Sequence, residues 1–259
     1  MILSKRVALN GEQLDEIHER IVIRSVDTSV PHEDVQAVSR MGGWGQRLTV
    51  NHWETLEVTV NWAMDVPKKE MALRREIYEA VTAWALQKGW LTVNFMPKRR
   101  MRVDKVVVPS SGDLWQWTSE FPITFRAYAV PFWQDTDVTE TVVRQITNDT
   151  VHMDIPGIAD TVLNVSFQNI SGAVNDEFSI RAGSSLIDLK GISLGGTETL
   201  TISHGTDDLL KIKAGTRSVY SKLQPGSSDM LRVSPGNAVI EIASKRAGKL
   251  TLSCNGRYL

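Results

Sequence analysis

The stretch Phe121-Pro122-Ile123-Thr124-Phe125-Arg126-Ala127-Tyr128-Ala129-Val130-Pro131-Phe132-Trp133 decides how this chain is read. Phe121, Ile123, Phe125, Ala127 and Ala129 fall on every second position, the spacing of a strand with one buried face. Pro131 is expected to stop that strand, because proline has no N–H for the ladder. All eight tryptophans lie at or before Trp133. A strand that closes one composition and opens another marks a domain boundary, which divides the chain into residues 1–133 and 134–259.

The two parts differ in character. The first 133 residues hold 14 of the 18 aromatics and 6 of the 18 glycines, and the last 126 hold 4 and 12. The first part therefore reads as aromatic-rich α+β. The second reads as short strands between glycine-containing turns, the pattern of a β-sandwich.

Within the first part, Leu56, Val58, Val60 and Trp62 alternate with Glu57, Thr59 and Asn61 and predict a strand. Asp65 and Pro67 supply helix-start signals for a helix over about residues 68–88. Its apolar stripe is Leu73, Ile77, Val81 and Trp84, with Arg74, Arg75, Glu76 and Glu79 elsewhere around it. Gly89 is placed to end it as the residue beyond the C-cap. Strands are expected over 91–95, 102–108, 114–118 and 121–130, with a Ser110–Asp113 turn. One helix among several strands packs on one side of a sheet or sandwich. In the second part, strands are expected over 161–168, 177–181, 185–189, 198–203, 208–213, 229–233, 238–243 and 248–253. The fold class is thus mainly β with one helix: an N-terminal β-sandwich or α+β domain, then a jelly-roll or galectin-like β-sandwich.

Composition narrows the chemistry. Net charge is −1 over 259 residues, so no global attraction to nucleic acid or anionic membrane follows. Cys254 is the single cysteine, which excludes an internal disulfide and thiolate-rich zinc sites, and suits a reducing cytoplasm. The five histidines are scattered, and no metal site is expected. The first 20 residues have no apolar core of signal-peptide length, and no run approaches the roughly 20 apolar residues of a membrane span.

The sharpest charge feature is Pro97-Lys98-Arg99-Arg100-Met101-Arg102. It reads as a solvated hairpin or edge kept from aggregating by its charges, as a contact for an acidic protein surface, or as a contact for nucleic-acid phosphate. Met41-Gly42-Gly43-Trp44-Gly45 lacks the Gly-Lys-Ser/Thr ending of a phosphate loop and reads as a turn. A sugar platform in the second part has only Phe167, Phe178, Tyr220 and Tyr258 to draw on, and the alternation around Phe167 reads as core. No paired-carboxylate pattern, G-x-S-x-G elbow or H-E-x-x-H helix occurs, and Cys254 has no base partner in sequence. No catalytic, metal or cofactor-binding residue is assigned.

The order of pieces from Trp53 to Trp133 resembles the N-terminal domain of siphophage distal tail proteins. The matching segments are Trp53–Trp62, the helix to Gly89, Trp90-Leu91-Thr92-Val93-Asn94-Phe95, Arg102-Val103-Asp104-Lys105-Val106 and Phe125–Trp133. In the second part the match is Pro225-Gly226-Ser227-Ser228-Asp229-Met230-Leu231-Arg232-Val233-Ser234-Pro235-Gly236, with Gly256-Arg257-Tyr258 at the end. Where the family often has Gly-Arg-Asp/Asn-Gly, this chain reads Ser39-Arg40-Met41-Gly42.

The resemblance implies a structural virion component rather than an enzyme, with no cofactor. It implies a ring-shaped, typically hexameric hub joining the tail tube protein to tail-tip or baseplate proteins, assembled in the host cytoplasm. DNA would pass through a central channel without tight binding, the C-terminal sandwiches would project outward, and no membrane is involved. Arg99, Arg100 and Arg102 are the candidate subunit-interface residues, from their charge density. Pro131, Phe132 and Trp133 are the candidate domain junction. The alternative is a carbohydrate-binding or adhesin module acting through the C-terminal sandwich.

Overall fold

The structure, a computed structural model, describes residues 6–39, 46–108 and 118–259. The chain divides into two compact units, Met1–Trp133 with Leu259, and Gln134–Tyr258. The mainly β fold is found, with one α-helix among the described residues.

The first unit runs β1 (Val7–Leu9), β2 (Glu12–Gln13), β3 (Ile21–Thr28), β4 (Glu33–Ser39), β5 (Gln46–Trp53), β6 (Leu56–Met64), α1 (Met71–Ala85), β7 (Gly89–Val93), β8 (Arg99–Val103), β9 (Lys105–Val107), β10 (Glu120–Ala127) and the start of β11 (Trp133–Asp135). Strands β2-β1-β7-β8 lie side by side in that order, and β3-β6-β10-β9 form a second sheet. The chain steps from β8 to β9, one sheet to the other, at Asp104. Alternation fixes which faces are dry. Val7, Leu9, Leu91, Val93, Met101 and Val103 are buried from the first sheet, and Leu56, Val58, Val60, Trp62, Phe121, Ile123 and Phe125 from the second. Each such side chain contributes about 1.5–3 kcal/mol by leaving water. The other face of β6 and β10 is polar: Thr59 and Thr124 hydroxyls meet at 3.0 Å, and Arg126 pairs with Glu57 at 2.8 Å. The hairpin β4–β5 forms a two-stranded sheet of its own.

Helix α1 is shorter than expected, and its buried stripe is rotated. Proline starts a turn rather than the helix: Glu70 N–H donates to the Pro67 carbonyl at 3.0 Å, and the helix begins at Met71. The buried positions are Arg74, Ile77, Tyr78, Val81, Trp84 and Ala85, with Leu73 only half-buried. Aromatic contacts seat the helix on β10, with Tyr78 5.3 Å from Phe121 and Trp84 5.9 Å from Phe125, both edge-on. Arg74, read as lying off the apolar stripe, has no exposure. Its guanidinium donates to the Val66 carbonyl (2.8 Å), the Ser119 hydroxyl (3.2 Å) and the Thr118 carbonyl, so the buried charge is fully hydrogen-bonded.

Gly89 does not end the helix either. The C-cap is Leu86, and Gly89 opens β7 with φ +122°. Asn10 explains the glycine. Its side chain accepts from Trp90 N–H (3.0 Å) and donates to the Lys88 carbonyl (2.7 Å), filling the space a Cβ would need.

Strand β10 ends at Ala127, four residues before Pro131, and Pro122 lies inside it. The stop is Asp104, whose carboxylate accepts from both Tyr128 N–H (2.8 Å) and Ala129 N–H (2.9 Å) and draws the chain away from the ladder. The expected strand over 102–108 is likewise broken at Asp104 into β8 and β9. The Met41–Gly45 glycine run, the Ser110–Asp113 turn and all but Thr118 of the strand expected over 114–118 lie outside the described residues.

The second unit contains β12 (Thr139–Ile155), β13 (Thr161–Val162), β14 (Asn164–Asn169), β15 (Asn175–Ala182), β16 (Ser185–Leu194), β17 (Thr199–His204), β18 (Leu210–Ala214), β19 (Arg217–Ser218), β20 (Arg232–Val233), β21 (Gly236–Cys254) and β22 (Arg257–Tyr258). Two expected strands, 238–243 and 248–253, are one 19-residue strand, β21. Along one edge, β21 pairs first with β15 and then with β14, and along the other with β12 on both sides of a bend. The ladder to β12 shifts register between Val143 and Asn148, opposite the point where β21 passes from β15 to β14. The two halves face each other across one core, in which Phe167 of β14 and Phe178 of β15 lie 4.9 Å apart. The sandwich is therefore a single sheet folded over through the long β12–β21 pair.

Candidate functional site

The hairpin β7–β8 carries the basic run. Asn94 ties its turn end to the start of the chain: its N–H donates to the Arg6 carbonyl at 3.1 Å, and its side-chain oxygen accepts from Arg6 N–H at 3.1 Å. Trp90 stands opposite Arg102 and Leu91 opposite Met101. Strand alternation then sorts the arginines. Met101 and Val103 are buried inward. Arg100 and Arg102 share the outer face with Trp90, and Arg99 alternates to the other side. The Arg100 guanidinium carbon lies 4.1 Å from the Trp90 ring centroid and that of Arg102 6.0 Å. Two cations thus flank one indole, each contact worth about 0.5–1 kcal/mol at exposed sites.

This pair is unusual in the unit. Arg6 pairs with Asp15, Arg20 with Glu19, Arg24 with Glu120, Arg75 with Glu79 and Arg126 with Glu57. Arg100 and Arg102 have no carboxylate partner among the described residues, and the Nε of each is shielded from solvent without a hydrogen-bond acceptor. The three arginines grouped by charge density therefore resolve into an Arg100–Trp90–Arg102 face and a separate Arg99. Trp90 was not singled out from the sequence. Its signal was the cross-strand register, which needs both strands placed first.

Pro131, Phe132 and Trp133 are all buried, Trp133 to 1% exposure. Phe132 N–H closes a tight turn onto the Val130 carbonyl at 2.8 Å, and its ring meets Trp53 edge-on at 5.2 Å. Trp133 is the last residue of the first unit before Gln134.

In the second unit the segment Pro225–Gly236 is a strap along β16. Ser228 N–H donates to the Leu186 carbonyl (2.7 Å), its hydroxyl accepts from Leu186 N–H (3.0 Å), and the Ser227 hydroxyl accepts from Asp188 N–H (3.1 Å). Leu231, within the strap, is fully buried. Arg257 makes a two-pronged, mostly buried ion pair with Asp208 at 2.7 and 2.8 Å, and the Tyr258 hydroxyl donates to Asp135 at 3.0 Å. Phe167 and Phe178 are core, which leaves Tyr220 as the exposed aromatic of this unit. It borders a shallow cleft of about 210 Å³ with Leu210, Lys211, Ile212, Lys213 and Ser218.

No group of three or more His, Cys, Asp or Glu side chains suited to a metal ion occurs among the described residues. Cys254 has no exposure, and burial pushes its thiol up to about 11, so the reactive thiolate is scarce at neutral pH. No helix among the described residues is long and apolar enough to cross a membrane.

The architecture can be compared with solved structures. No family model matches the chain. No curated protein matches it either. The Dit protein of phage SPP1, a paradigm of the hub adsorption apparatus in phages infecting Gram-positive bacteria, superposes over 98% of this chain and 99% of its own, with a TM-score of 0.69 and 14% identity. The chain has the fold of SPP1 Dit. The baseplate of phage P2 in its activated conformation is more distant: 9% identity and a TM-score of 0.43 with calcium, covering 97% of this chain and 98% of that one. With strontium the values are 10% and 0.38, covering 96% and 97%. The match to SPP1 Dit is end to end, so both units and their order are common to the two chains.

Proposed function

We propose that this chain is a structural hub of a long-tailed phage or prophage tail, a closed ring joining the tail tube to tail-tip or baseplate proteins. The observation that carries the reading is the end-to-end likeness to the SPP1 Dit hub protein, both units included. Two features of the first unit support it. The hairpin β4–β5 pairs with no third strand among the described residues, and such ribbons are marginal until something packs on them. The Arg100–Trp90–Arg102 face also lacks carboxylates of its own. A hub ring needs heterologous, head-to-tail contacts that close. DNA would pass through the ring's channel without tight binding, as near-zero net charge suits. The second unit would project outward and offer its surface to adsorption components. Pro131, Phe132 and Trp133 would form the junction between the ring-forming and outer domains. The role requires no catalysis and no cofactor.

The test is direct. Purified full-length protein should run as a discrete species of about six subunits and show rings by negative-stain imaging. A strict monomer at high concentration and low salt would count against the reading.

The carbohydrate-binding alternative rests on Tyr220 and its cleft. Sugar platforms use exposed aromatic faces, and this unit presents a single one beside a cleft smaller than the usual roughly 300–1,000 Å³ of ligand pockets. Full-length protein that fails to pull down host cell-wall glycans would remove that alternative.

A further inference from the structure

We infer that the Arg100–Trp90–Arg102 face receives the acidic segment Glu12–Glu16 of a second copy of this chain, the contact repeating head to tail. This inference rests on the ring reading above and gives it a specific interface.

The argument starts from strand order. In β2-β1-β7-β8 the arginines sit on β8, three strands from β2. The β2 side carries the opposite charge: Glu12 on β2, then Asp15, Glu16 and Glu19. Asp15 faces Arg6 at 4.0 Å and Glu19 faces Arg20 at 3.7 Å. Glu12 and Glu16 are exposed and have no cationic partner among the described residues, Glu16 accepting only from the Gln13 amide at 2.8 Å. Strand β8 thus carries two guanidiniums without carboxylates, and the β2 end of the sheet has two carboxylates without cations.

Within a single copy the two sets lie on different strands with β1 and β7 between them. Between copies they can meet. A surface that meets a different surface on its neighbour is heterologous, and such contacts propagate in one direction until they close. Trp90 holds the guanidiniums against its ring, so less rotamer freedom is lost when a carboxylate docks than for a free arginine. Guanidinium–carboxylate pairs give direction and register, and the aromatic supplies area that excludes water.

Charge reversal tests it. R100E/R102E makes both surfaces acidic, and E12R/E16R makes both basic. Each variant alone should lose the ring and run as a monomer in light scattering, with an unchanged circular dichroism spectrum. Mixed in equal amounts, the two should recover rings of strictly alternating composition, hence an even number of subunits by native mass spectrometry. R100Q/R102Q, which removes charge without adding repulsion, should weaken assembly at least tenfold. If wild-type rings form and both reversed variants still assemble alone, this interface is wrong while the hub reading stands. If the mixture fails to recover rings that each variant lost, the pairing of these two surfaces is wrong. If wild type never assembles, both fall.

Discussion

Asp104 terminates the strand that Tyr128 would otherwise extend. Its carboxylate accepts from the Tyr128 and Ala129 N–H groups at 2.8 and 2.9 Å, while its own N–H donates to the Arg126 carbonyl at 2.9 Å. One residue therefore ends β8, turns the chain between two sheets and stops β10. Charge-assisted bonds of this kind are lost together on truncation, partly offset by water at this half-buried position. Asp104→Ala should cost about 1–2 kcal/mol in chemical denaturation, and Asp104→Asn, which keeps an acceptor, about half of that. Equal stability of Asp104→Ala and wild type would remove the capping role.

Arg74 is the buried charge of the first unit, and its guanidinium closes three acceptors on the Val66 loop and the Thr118–Ser119 segment. Arg74→Met fits the volume but leaves the buried Val66 carbonyl unsatisfied, at roughly 1–3 kcal/mol, and the partly buried Thr118 carbonyl without this donor. The expected result is a loss of about 3 kcal/mol or failure to fold at 37 °C. Arg75→Met, on the exposed face beside Glu79, should cost under about 0.5 kcal/mol. A comparison of the two melting curves separates burial from charge.

These two residues also mark how far the sequence could be read. The apolar alternation in 56–62 and 121–127 and the helical period in 71–85 were legible because burial repeats at the period of the element. Arg74 was not, because its partners are backbone carbonyls, which no residue type announces. Strand β12 was missed for a related reason. Between Glu140 and Asn148 its polar and apolar residues follow no single period, since the strand bends and shifts register there, and only Val151, Met153 and Ile155 alternate cleanly. Strand β21 was expected as two strands because its pairing is interrupted around the exposed Lys245 and Arg246, where it bends and changes partner from β15 to β14. Of the candidate site, the arginine density was visible, but the pairing with Trp90 needed the β7–β8 register.

Gly248 lies where β21 passes beneath Phe167, and a Cβ there would run into that ring and the Gln168 carbonyl. Phe167 packs on Phe178 in a closed core, so neither ring has room to retreat. Gly248→Ala should destabilise the protein by about 1–3 kcal/mol, the usual range for overpacking. Phe167→Leu placed on the same chain should recover part of that loss. Additive penalties in the double variant would show that the ring is not the obstacle.

Cys254 offers a probe of unfolding. With no exposure and its thiol pushed up by burial to about 11, it should react with Ellman's reagent only through an opened state. In the native buffer, labelling should be slower than for a free thiol by a factor that tracks global stability. Rapid stoichiometric labelling would mean that the β12–β21 end opens locally.

His204 sets an acid limit on the second unit. Its Nε2 accepts from the Leu231 N–H at 3.2 Å, so the proton sits on Nδ1, facing the Asn164 side-chain oxygen at 3.4 Å. Burial holds its proton affinity below the ordinary value of 6.5, with Asp208 opposing and Arg257 adding to that shift. Protonation would remove the acceptor that holds Leu231 and place a cation near Arg257. Because the folded imidazole binds its proton less tightly than the unfolded one, the unfolded chain takes up more protons as pH falls below about 6.5, and stability drops with it. Above that value both states are neutral and the contribution is constant. Melting temperatures measured from pH 8 to pH 5 should therefore be flat down to about 6.5 and then fall more steeply for wild type than for His204→Gln. Parallel curves for the two proteins would exclude His204 as the titrating group.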